Sequence, residues 1–337
     1  MGMRAAIVEK YGGPERLILK DWPDPHPAPD QVLIRTRFIG LNFADLMQRA
    51  GVYPRTPKPP FIPGLELSGE VTAVGASVAH LKPGDRVAAF PIFGSHAQFV
   101  VTDLAAKIPD TMTFEEAAAL GVGGMTAHYA VNYLGRARAG ETILITAAAG
   151  GVGTLAVQIA KLFGLRVVAL AGGEEKCALA RALGADAAIN TLEKNWKAEI
   201  SRMDFDIVLD SVGGSVMHAC WKRLKPMGRY ILFGFAGAVK PGAFSYGKGA
   251  LNYFRTPFPH PLHFISTNRT LSGFNLSLIT QQRPLLVQIL LEVFDLWEKG
   301  ELKPVISKIH PLTDIALAHA DMQGRRTMGK VLIRVGA

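Results

Sequence analysis

The spacing of apolar positions changes near Gly121. Before this residue, runs such as QVLIRTRFIGLN and LSGEVTAVGASV alternate or cluster β-branched residues between glycine and proline turns. This pattern predicts a small, β-rich, barrel-like domain. After Gly121, strand-like apolar runs alternate with helical periods, which is typical of a parallel sheet with crossover helices. The chain is therefore predicted to be α/β, with a β-rich first third.

Four strand-like runs in the second region lead into glycines. TILIT, RVVALA, FDIVLD and RYILFG are followed or closed by Gly150, Gly172, Gly213 and Gly234. In an open α/β sheet the carboxyl ends of the strands border the ligand crevice, and a glycine there lets a ligand approach the backbone. We expect a binding site at this edge of the sheet.

The turn AAAGGVG nearly matches the dinucleotide pattern GxGxxG. Ala148 occupies the first glycine position, while Gly150 and Gly153 keep the second and third, with Gly151 and Val152 between them. The second glycine admits a pyrophosphate, and the third allows the helix to pack on the strand, so that the helix amino terminus faces the phosphates. A purely structural turn is the alternative, but the four-strand context favours a nucleotide site.

The end of the next strand bears on the choice of cofactor. NAD sites carry Asp or Glu there, about 20 residues after the glycine turn, whereas this chain has residues 171–173, Ala-Gly-Gly. Lys176 follows one helical turn later and is placed to meet a 2′-phosphate, so the prediction is NADP(H). Alternatively, Glu174 and Glu175 only begin a helix and Lys176 is solvated.

Composition limits the partners. The chain has 337 residues and a formal charge of +9, but its basic residues are scattered, so no nucleic acid partner is expected. Cys177 and Cys220 cannot form a disulfide framework, and MGMRAAIVEK lacks a signal-peptide core. No apolar run is long enough to span a bilayer. We expect a cytoplasmic protein without membrane contact.

Residues 236–270 show no clear period. The stretch AFSYGKGALNYFRTPFPHPLHFIS mixes aromatic, basic and proline residues, and we interpret it as a long loop or lid. Periodicity returns in PLLVQILLEVFDLWEKG, an amphipathic helix that ends at Gly300, and in the final strand KVLIRV.

Several motifs, taken in order, resemble one superfamily. GLNFADLMQRAGVYP, IPGLELSGEVTAVG, KPGDRV, GVGGMTAHYAV, AAAGGVG, ALGADAAIN and MGKVLI are similar to those of the medium-chain dehydrogenases/reductases, and specifically of the zinc-independent quinone oxidoreductases and enoyl reductases. VLDSVGG, LKPMGRYILFG and LSGFNL resemble the vesicle amine transport protein branch. The resemblance implies a GroES-like catalytic domain from residues 1–122 and 266–337, and a Rossmann doubly wound parallel sheet in residues 123–265 that binds NADP(H).

The resemblance also bears on metal. Zinc-dependent relatives carry Cys near the position of Asn42 and His in a Gly-His-Glu motif, where this chain has Leu65 before Glu66. A catalytic zinc needs about three protein ligands, and the remaining close pairs, His218 with Cys220 and His260 with His263, read as incidental. We expect no metal, and therefore hydride transfer to a quinone or to the β-carbon of an α,β-unsaturated carbonyl.

Three residues are candidates for the catalytic end of the cleft. The resemblance places Asn42 and Asp45 near the nicotinamide, although both could instead cap the helix ADLMQRA. The resemblance to enoyl reductases also implies that the loop of Tyr53 borders the substrate and that Tyr53 is a candidate proton donor, with aromatic packing under a proline loop as the alternative.

The resemblance implies further cofactor contacts. Thr126 would contact the nicotinamide or a phosphate, unless it is simply a helix residue turned inward. The other predicted contacts are Phe233, Gly234, Phe235, Phe274 and Lys330. Relatives commonly have Tyr after Ile-Asn near the adenosine, whereas this chain has Thr191.

Three functions remain open from the sequence. The first is an NADPH-dependent quinone or enone reductase. The second is an enoyl-thioester reductase, which LNFADL and the basic surplus would suit. The third is a nucleotide-binding scaffold for a lipid or protein partner that uses the 236–270 loop. The resemblance also implies a homodimer, formed through an edge strand of the Rossmann sheet.

Overall fold

Strands and helices alternate along most of the chain. The structure is a computed structural model and describes residues 2–234, 236, 239–240, 243–244, 260–279 and 282–336. Within these ranges the strands, in chain order, are β1 (Met3–Val8), β2 (Leu17–Trp22), β3 (Val32–Leu41), β4 (Leu67–Val74), β5 (Arg86–Ala89), β6 (Phe99–Thr102), β7 (Ala105–Lys107), β8 (Thr142–Ile145), β9 (Arg166–Ala171), β10 (Ala187–Asn190), β11 (Phe205–Asp210), β12 (Leu224–Leu232), β13 (Val239–Lys240), β14 (Ala243–Phe244), β15 (Thr270–Gly273), β16 (Ile306–Pro311) and β17 (Lys330–Arg334). The α-helices are α1 (Phe43–Ala50), α2 (Phe114–His128), α3 (Gly151–Leu162), α4 (Glu174–Ala182), α5 (Trp196–Ile200), α6 (Gly214–Trp221), α7 (Pro261–Thr267), α8 (Arg283–Glu298) and α9 (Ile315–Gln323).

Six of these strands form one parallel sheet. Their spatial order is β10-β9-β8-β11-β12-β15, and every neighbouring pair runs parallel. Counted in chain order within the sheet this is 3-2-1-4-5-6, the order of dinucleotide-binding folds. The prediction of a Rossmann doubly wound sheet is confirmed. The strand order reverses between β8 and β11, where such folds open their ligand crevice.

Both faces of this sheet are covered. Ile143 and Ile145 of β8 pack into the core that contains α3 and α8, whereas Leu144, between them, packs into a second core with Phe205 and Trp221. A strand buried on both faces needs a continuous apolar run rather than an alternating one. The TILI sequence of β8 meets that requirement.

The two ends of the chain share a second sheet. Its order is β16-β17-β3-β4-β5-β7, with β6 also paired to β3. Strand β17 runs antiparallel to β3, and Val331 lies opposite Leu41. The prediction of a β-rich first third is confirmed, and the sheet also takes in the last described strands. This arrangement places Lys330, at the start of β17, beside the end of β3.

The parallel sheet extends further along the chain than predicted. Strand β15 pairs with β12, Thr270 lying opposite Arg229, although the predicted boundary falls at residue 266. The other predicted boundary, at residue 122, falls inside α2. The aromatic and proline content around residues 250–265 masked the periodicity, and residues 260–270 form α7 and the start of β15 instead of a loop. Phe235 and most of the predicted 236–270 loop lie outside the described residues.

No helix among the described residues combines the length and the apolarity that crossing a membrane requires.

Candidate functional site

The glycine turn lies at the switch point of the parallel sheet. Gly150 is the N-cap of α3, so the unpaired N–H groups of the first helical turn lie at this edge. A Cβ on Gly153 would lie 2.3 Å from the Ala147 carbonyl oxygen and 2.6 Å from Ala148 Cα, so α3 packs directly on the turn. A Cβ on Gly150 would meet only the Ala147 oxygen, at 3.3 Å. This is the division of roles that a pyrophosphate site needs, and the turn fits a dinucleotide.

A second segment crosses the same turn. Gly329 pairs with Gly150 in an isolated parallel bridge, and its N–H donates to the carbonyl of Ala149 at 2.8 Å. A Cβ on Gly151 would lie 3.4 Å from Lys330 Cδ. Val152 follows in the first turn of α3. The start of β17 is therefore in contact with the glycine turn.

The residues predicted to distinguish NADP(H) from NAD(H) lie at and just after the end of β9. A Cβ on Gly172 would meet only Thr191 Oγ1, at 3.8 Å, so there is free space above this glycine. Lys176 Nζ donates to the carbonyl oxygen of Arg325 at 2.7 Å. Burial and then the Arg325 charge lower the pKa of Lys176. Lys176 is thus held beside a second cation, rather than freely solvated as the alternative interpretation had it.

Aromatic rings line the ends of β12 and β15. Phe233 stacks on Phe274 with centroids 6.1 Å apart, and Phe274 meets Tyr129 edge-on at 5.1 Å. Nearby, a Cβ on Gly234 would lie 3.0 Å from the Ser211 carbonyl oxygen, so this glycine packs closely on the turn that follows β11. Gly213, with φ of 71°, is the N-cap of α6.

A buried polar cluster lies where β3, β4 and β17 of the second sheet meet α2. Asn42 Nδ2 donates to Glu66 Oε2 at 2.9 Å, and Lys330 Nζ donates to Asn42 Oδ1 at 2.8 Å and to Glu66 Oε2. The other oxygen of Glu66 accepts from the Val122 N–H at 2.6 Å. Glu66 is fully buried and Lys330 is 3% exposed. The cluster fixes the amide orientation of Asn42 and the position of the Lys330 ammonium.

Asp45 caps α1. Its Oδ2 accepts from the Asn42 N–H at 2.7 Å, which is the geometry of the capping alternative. Burial raises its pKa to about 7, against the opposing effects of the Asn42 N–H and of Lys330. Asn42 is the N-cap residue of α1, and its side-chain amide hydrogen bonds to Glu66 and Lys330.

The hydroxyls of Tyr53 and Thr126 already have partners. Tyr53 Oη lies 3.0 Å from Asn275 Oδ1 and 2.6 Å from Ser277 Oγ, and burial raises its pKa. Thr126 Oγ1 donates to the Val122 carbonyl at 2.6 Å, as expected of a helix residue turned inward. Tyr53 is therefore tied to the segment that follows Phe274.

Sequence reasoning missed the partners of these residues. Glu66 was noted only beside Leu65, Arg325 was not singled out, and Asn275, expected with Phe274 to pass the nicotinamide, was not linked to Tyr53. Their partners lie far away in sequence: Lys330 is 264 residues from Glu66 and Tyr53 is 222 residues from Asn275. The buried carboxylate after an apolar run was the one local signal that could have marked Glu66.

The residues at this site do not fit a protein-held metal. Leu65 offers no ligand, and Asn42 is already hydrogen bonded to Glu66 and Lys330. In the described part of the chain, no three His, Cys, Asp or Glu side chains converge on a common point.

Two family models match the chain. Residues 28–134 match the alcohol dehydrogenase GroES-like domain, and residues 151–290 match the family described as zinc-binding dehydrogenase. The first confirms the GroES-like prediction for the β-rich part of the chain. The second begins at Gly151, within the glycine turn, and covers α3 and five of the six strands of the parallel sheet, β9 to β12 and β15.

Similar proteins match over nearly the whole chain. The synaptic vesicle membrane protein VAT-1 homolog of Danio rerio is 34% identical, over 98% of this chain and 69% of its own length. A quinone oxidoreductase of Pseudomonas aeruginosa is also 34% identical, over 96% of this chain and 97% of its own length. The crystal structure of Escherichia coli quinone oxidoreductase complexed with NADPH superposes with a TM-score of 0.86, at 27% identity, covering 98% of this chain and 99% of that one. The chain therefore belongs to the quinone oxidoreductase family of the medium-chain dehydrogenase/reductase superfamily.

Proposed function

We propose that this oxidoreductase uses NADPH to reduce a quinone or an α,β-unsaturated carbonyl without zinc. The observation that carries the proposal is the glycine turn at the switch point, where Gly150 leaves space in front of the α3 amino terminus and Gly153 does not. Lys176 and Arg325 at the end of β9 favour the 2′-phosphate. The NADPH complex of the E. coli relative supports the same choice.

Each part of the site has a separate task in this proposal. The bound cofactor supplies a hydride. The N–H groups at the start of α3 bind the diphosphate, and the rings of Phe233, Phe274 and Tyr129 exclude water beside the reacting atoms. Asn42 and Lys330, fixed by Glu66, orient polar groups of cofactor or substrate. Tyr53 holds a proton at Oη, which its burial keeps from dissociating.

The proposed substrate class follows from the side chains that line the site. Without a Lewis acid held by the protein, the hydride acceptor must itself be electrophilic, as quinones and enones are. An alcohol or simple ketone would need polarisation that Asn42 and Leu65 do not provide.

Steady-state assays test this proposal. Purified protein is mixed with NADPH or NADH and with a quinone, an enone or an enoyl-thioester, in the presence and absence of a metal chelator. We expect turnover of the quinone or enone with NADPH, unchanged by the chelator. Efficient turnover of the thioester alone would favour the second enzymatic function. NADPH binding without any turnover would favour the scaffold, and loss of activity in chelator would overturn the zinc-free mechanism.

A further inference from the structure

Asp210, at the carboxyl end of β11, is a fully buried carboxylate with four hydrogen-bond donors. An ionised carboxylate accepts hydrogen bonds and has about four lone-pair positions, so this one is fully used. The donors are Thr146 Oγ1 at 2.9 Å and the Val212 N–H at 2.8 Å on one oxygen, and Tyr230 Oη at 2.7 Å and the Gly213 N–H at 3.1 Å on the other.

Thr146 connects this carboxylate to the glycine turn. Its hydroxyl accepts from the Ser211 N–H at 2.9 Å, so its own proton is directed at Asp210. Thr146 directly follows β8, and the next residue, Ala147, has a left-handed backbone with φ of 49°. That conformation is costly for a residue with a Cβ, so the surrounding contacts must hold it. Asp210 therefore joins the start of the glycine turn to the turn that follows β11.

The main chain extends the connection to a third loop. The Phe233 N–H donates to the Asp210 carbonyl at 3.0 Å, and the Ala236 N–H donates to the Ser211 carbonyl at 2.8 Å. Loops after β8, β11 and β12 are thus all tied to residues 210–213. These three strands are neighbours at the switch point, where the strand order reverses.

Asp206, four residues earlier, makes comparable hydrogen bonds near the amino-terminal ends of the strands, away from the crevice. It accepts from the Thr142 N–H, at the start of β8, and from Lys225 Nζ, both at 2.8 Å. Both aspartates join β8 to its neighbours, but only Asp210 does so at the crevice edge. A buried carboxylate is expensive to desolvate, and at Asp210 the four donors from the loops at the crevice edge offset that cost.

We propose that Asp210 is a positioning residue for the cofactor, because its carboxylate holds the glycine turn and the Val212–Gly213 turn in the geometry that receives the dinucleotide. The proposal rests on the proposed NADPH function. It places no atom of Asp210 in contact with substrate or cofactor.

Asp210→Asn tests the proposal, with Asp206→Asn as the matched control. The asparagine amide places an NH2 group where Asp210 has an accepting oxygen. At least one of the four hydrogen bonds that hold the turns is therefore lost. We expect the Kd for NADPH, measured by fluorescence titration, to rise about tenfold or more in Asp210→Asn and to stay within about twofold in Asp206→Asn. KM for NADPH should rise with the Kd.

Amide hydrogen exchange without cofactor separates this proposal from the proposed function. Exchange at residues 147–150 should accelerate in Asp210→Asn and not in Asp206→Asn. Thr146→Val should reproduce the effect and Thr146→Ser should restore protection, which gives a second test should Asp210→Asn not fold. Wild-type exchange and Kd in a folded Asp210→Asn would overturn the positioning role. Failure of the wild-type protein to bind NADPH would overturn the proposed function, whatever the exchange shows.

Discussion

The buried ion pair of Glu66 and Lys330 fixes the positions of side chains at this site. Glu66 and Lys330 are almost completely buried, and each has its charge opposed by the other. Burying such a pair brings little net stability, but removing one partner leaves an uncompensated charge in the interior. The pair therefore serves to fix the positions of Asn42 and Lys330 more than to strengthen the fold.

Lys330→Met should lower the free energy of unfolding by about 3–5 kcal/mol, because Glu66 would be left without its cation. Urea denaturation measures the change. Lys299→Met is the control, since Lys299 pairs with Asp295 in solvent and its loss should have no measurable effect. Equal stability of the two variants would contradict a buried ion pair.

Lys176→Ala should weaken NADPH binding about tenfold and leave NADH binding within about twofold, because only NADPH carries the 2′-phosphate. Since burial and Arg325 lower the pKa of Lys176, its charge is lost at a lower pH than that of an ordinary lysine. NADPH affinity of the wild-type protein should fall as the pH rises from about 7 towards the usual lysine pKa of about 10.4, and less so in the variant. Calorimetric titration across this pH range checks this, and equal losses for NADPH and NADH would rule out phosphate recognition.

At the scale of elements, the local sequence pattern predicted the strands, turns and helices that depend on neighbouring residues. The strand-turn-helix unit around Gly150 and the parallel sheet followed from apolar runs and glycine positions. Strand β15 was missed because its place depends on pairing with β12 and not on its own short, polar sequence. The partners of Tyr53 and Lys330 were missed for the same reason, because contacts between distant segments leave no local periodicity.

Gly150→Ala and Gly153→Ala should differ although they lie three residues apart. A methyl at residue 153 overlaps the Ala147 carbonyl, so we expect a loss of about 1–3 kcal/mol of stability as well as weaker NADPH binding. A methyl at residue 150 meets little protein and should leave the Tm nearly unchanged while obstructing the pyrophosphate. Thermal melts and NADPH titrations measure both effects; a stability loss in Gly150→Ala alone would reverse the assigned roles.

Helices α1 and α9 are joined by a buried chain of basic side chains. Arg49 lies 3.1 Å from His319 Nδ1, and His319 Nε2 lies 3.1 Å from His96 Nε2. Arginine can only donate, so His319 accepts at Nδ1 and donates from Nε2 to His96. Burial lowers the pKa of His96 to about 3, and burial with the charges of His96 and Arg49 lowers that of His319 well below its usual value.

These two histidines should make the fold sensitive to acid. Below about pH 6.5 the unfolded chain binds protons at both residues and the folded chain does not, so stability falls as the pH falls towards about 3. The slope is up to about 1.4 kcal/mol per pH unit for each histidine. Urea denaturation at about pH 6.5, 5.5 and 4.5 should show a shallower decline for His96→Asn than for the wild type. Parallel declines would mean that His96 is not neutral in the folded protein.

At the scale of the whole molecule, one edge of the parallel sheet is apolar. Among the described strands β15 is the last of this sheet, and α7, directly before it, exposes Leu262 and Ile265, the latter 74% accessible. Met227, whose N–H donates to the Asn268 carbonyl beside this edge, is 72% exposed. A strand edge that has no partner among the described residues and has exposed apolar neighbours favours pairing with another chain, and we expect the predicted homodimer to use it.

Ile265→Lys should shift a dimer towards monomer, because two buried lysines would face each other across a two-fold axis. Leu192→Lys is the control: Leu192 is also 74% exposed but follows β10 at the opposite edge of the sheet. Sedimentation equilibrium at micromolar concentration measures the mass. A monomeric wild type, or dissociation in the control alone, would place the interface elsewhere.

The bridge between Gly329 and Gly150 also sets an order of events during synthesis. The glycine turn receives its hydrogen bond from Gly329 only after 179 further residues have been added, although the strands beside the turn are complete long before. The nucleotide pocket is therefore completed only after β17 has been synthesised. Ribosome-bound chains that expose residues up to about 300 should resist protease without NADPH adding protection, whereas chains that expose β17 should gain protection from NADPH.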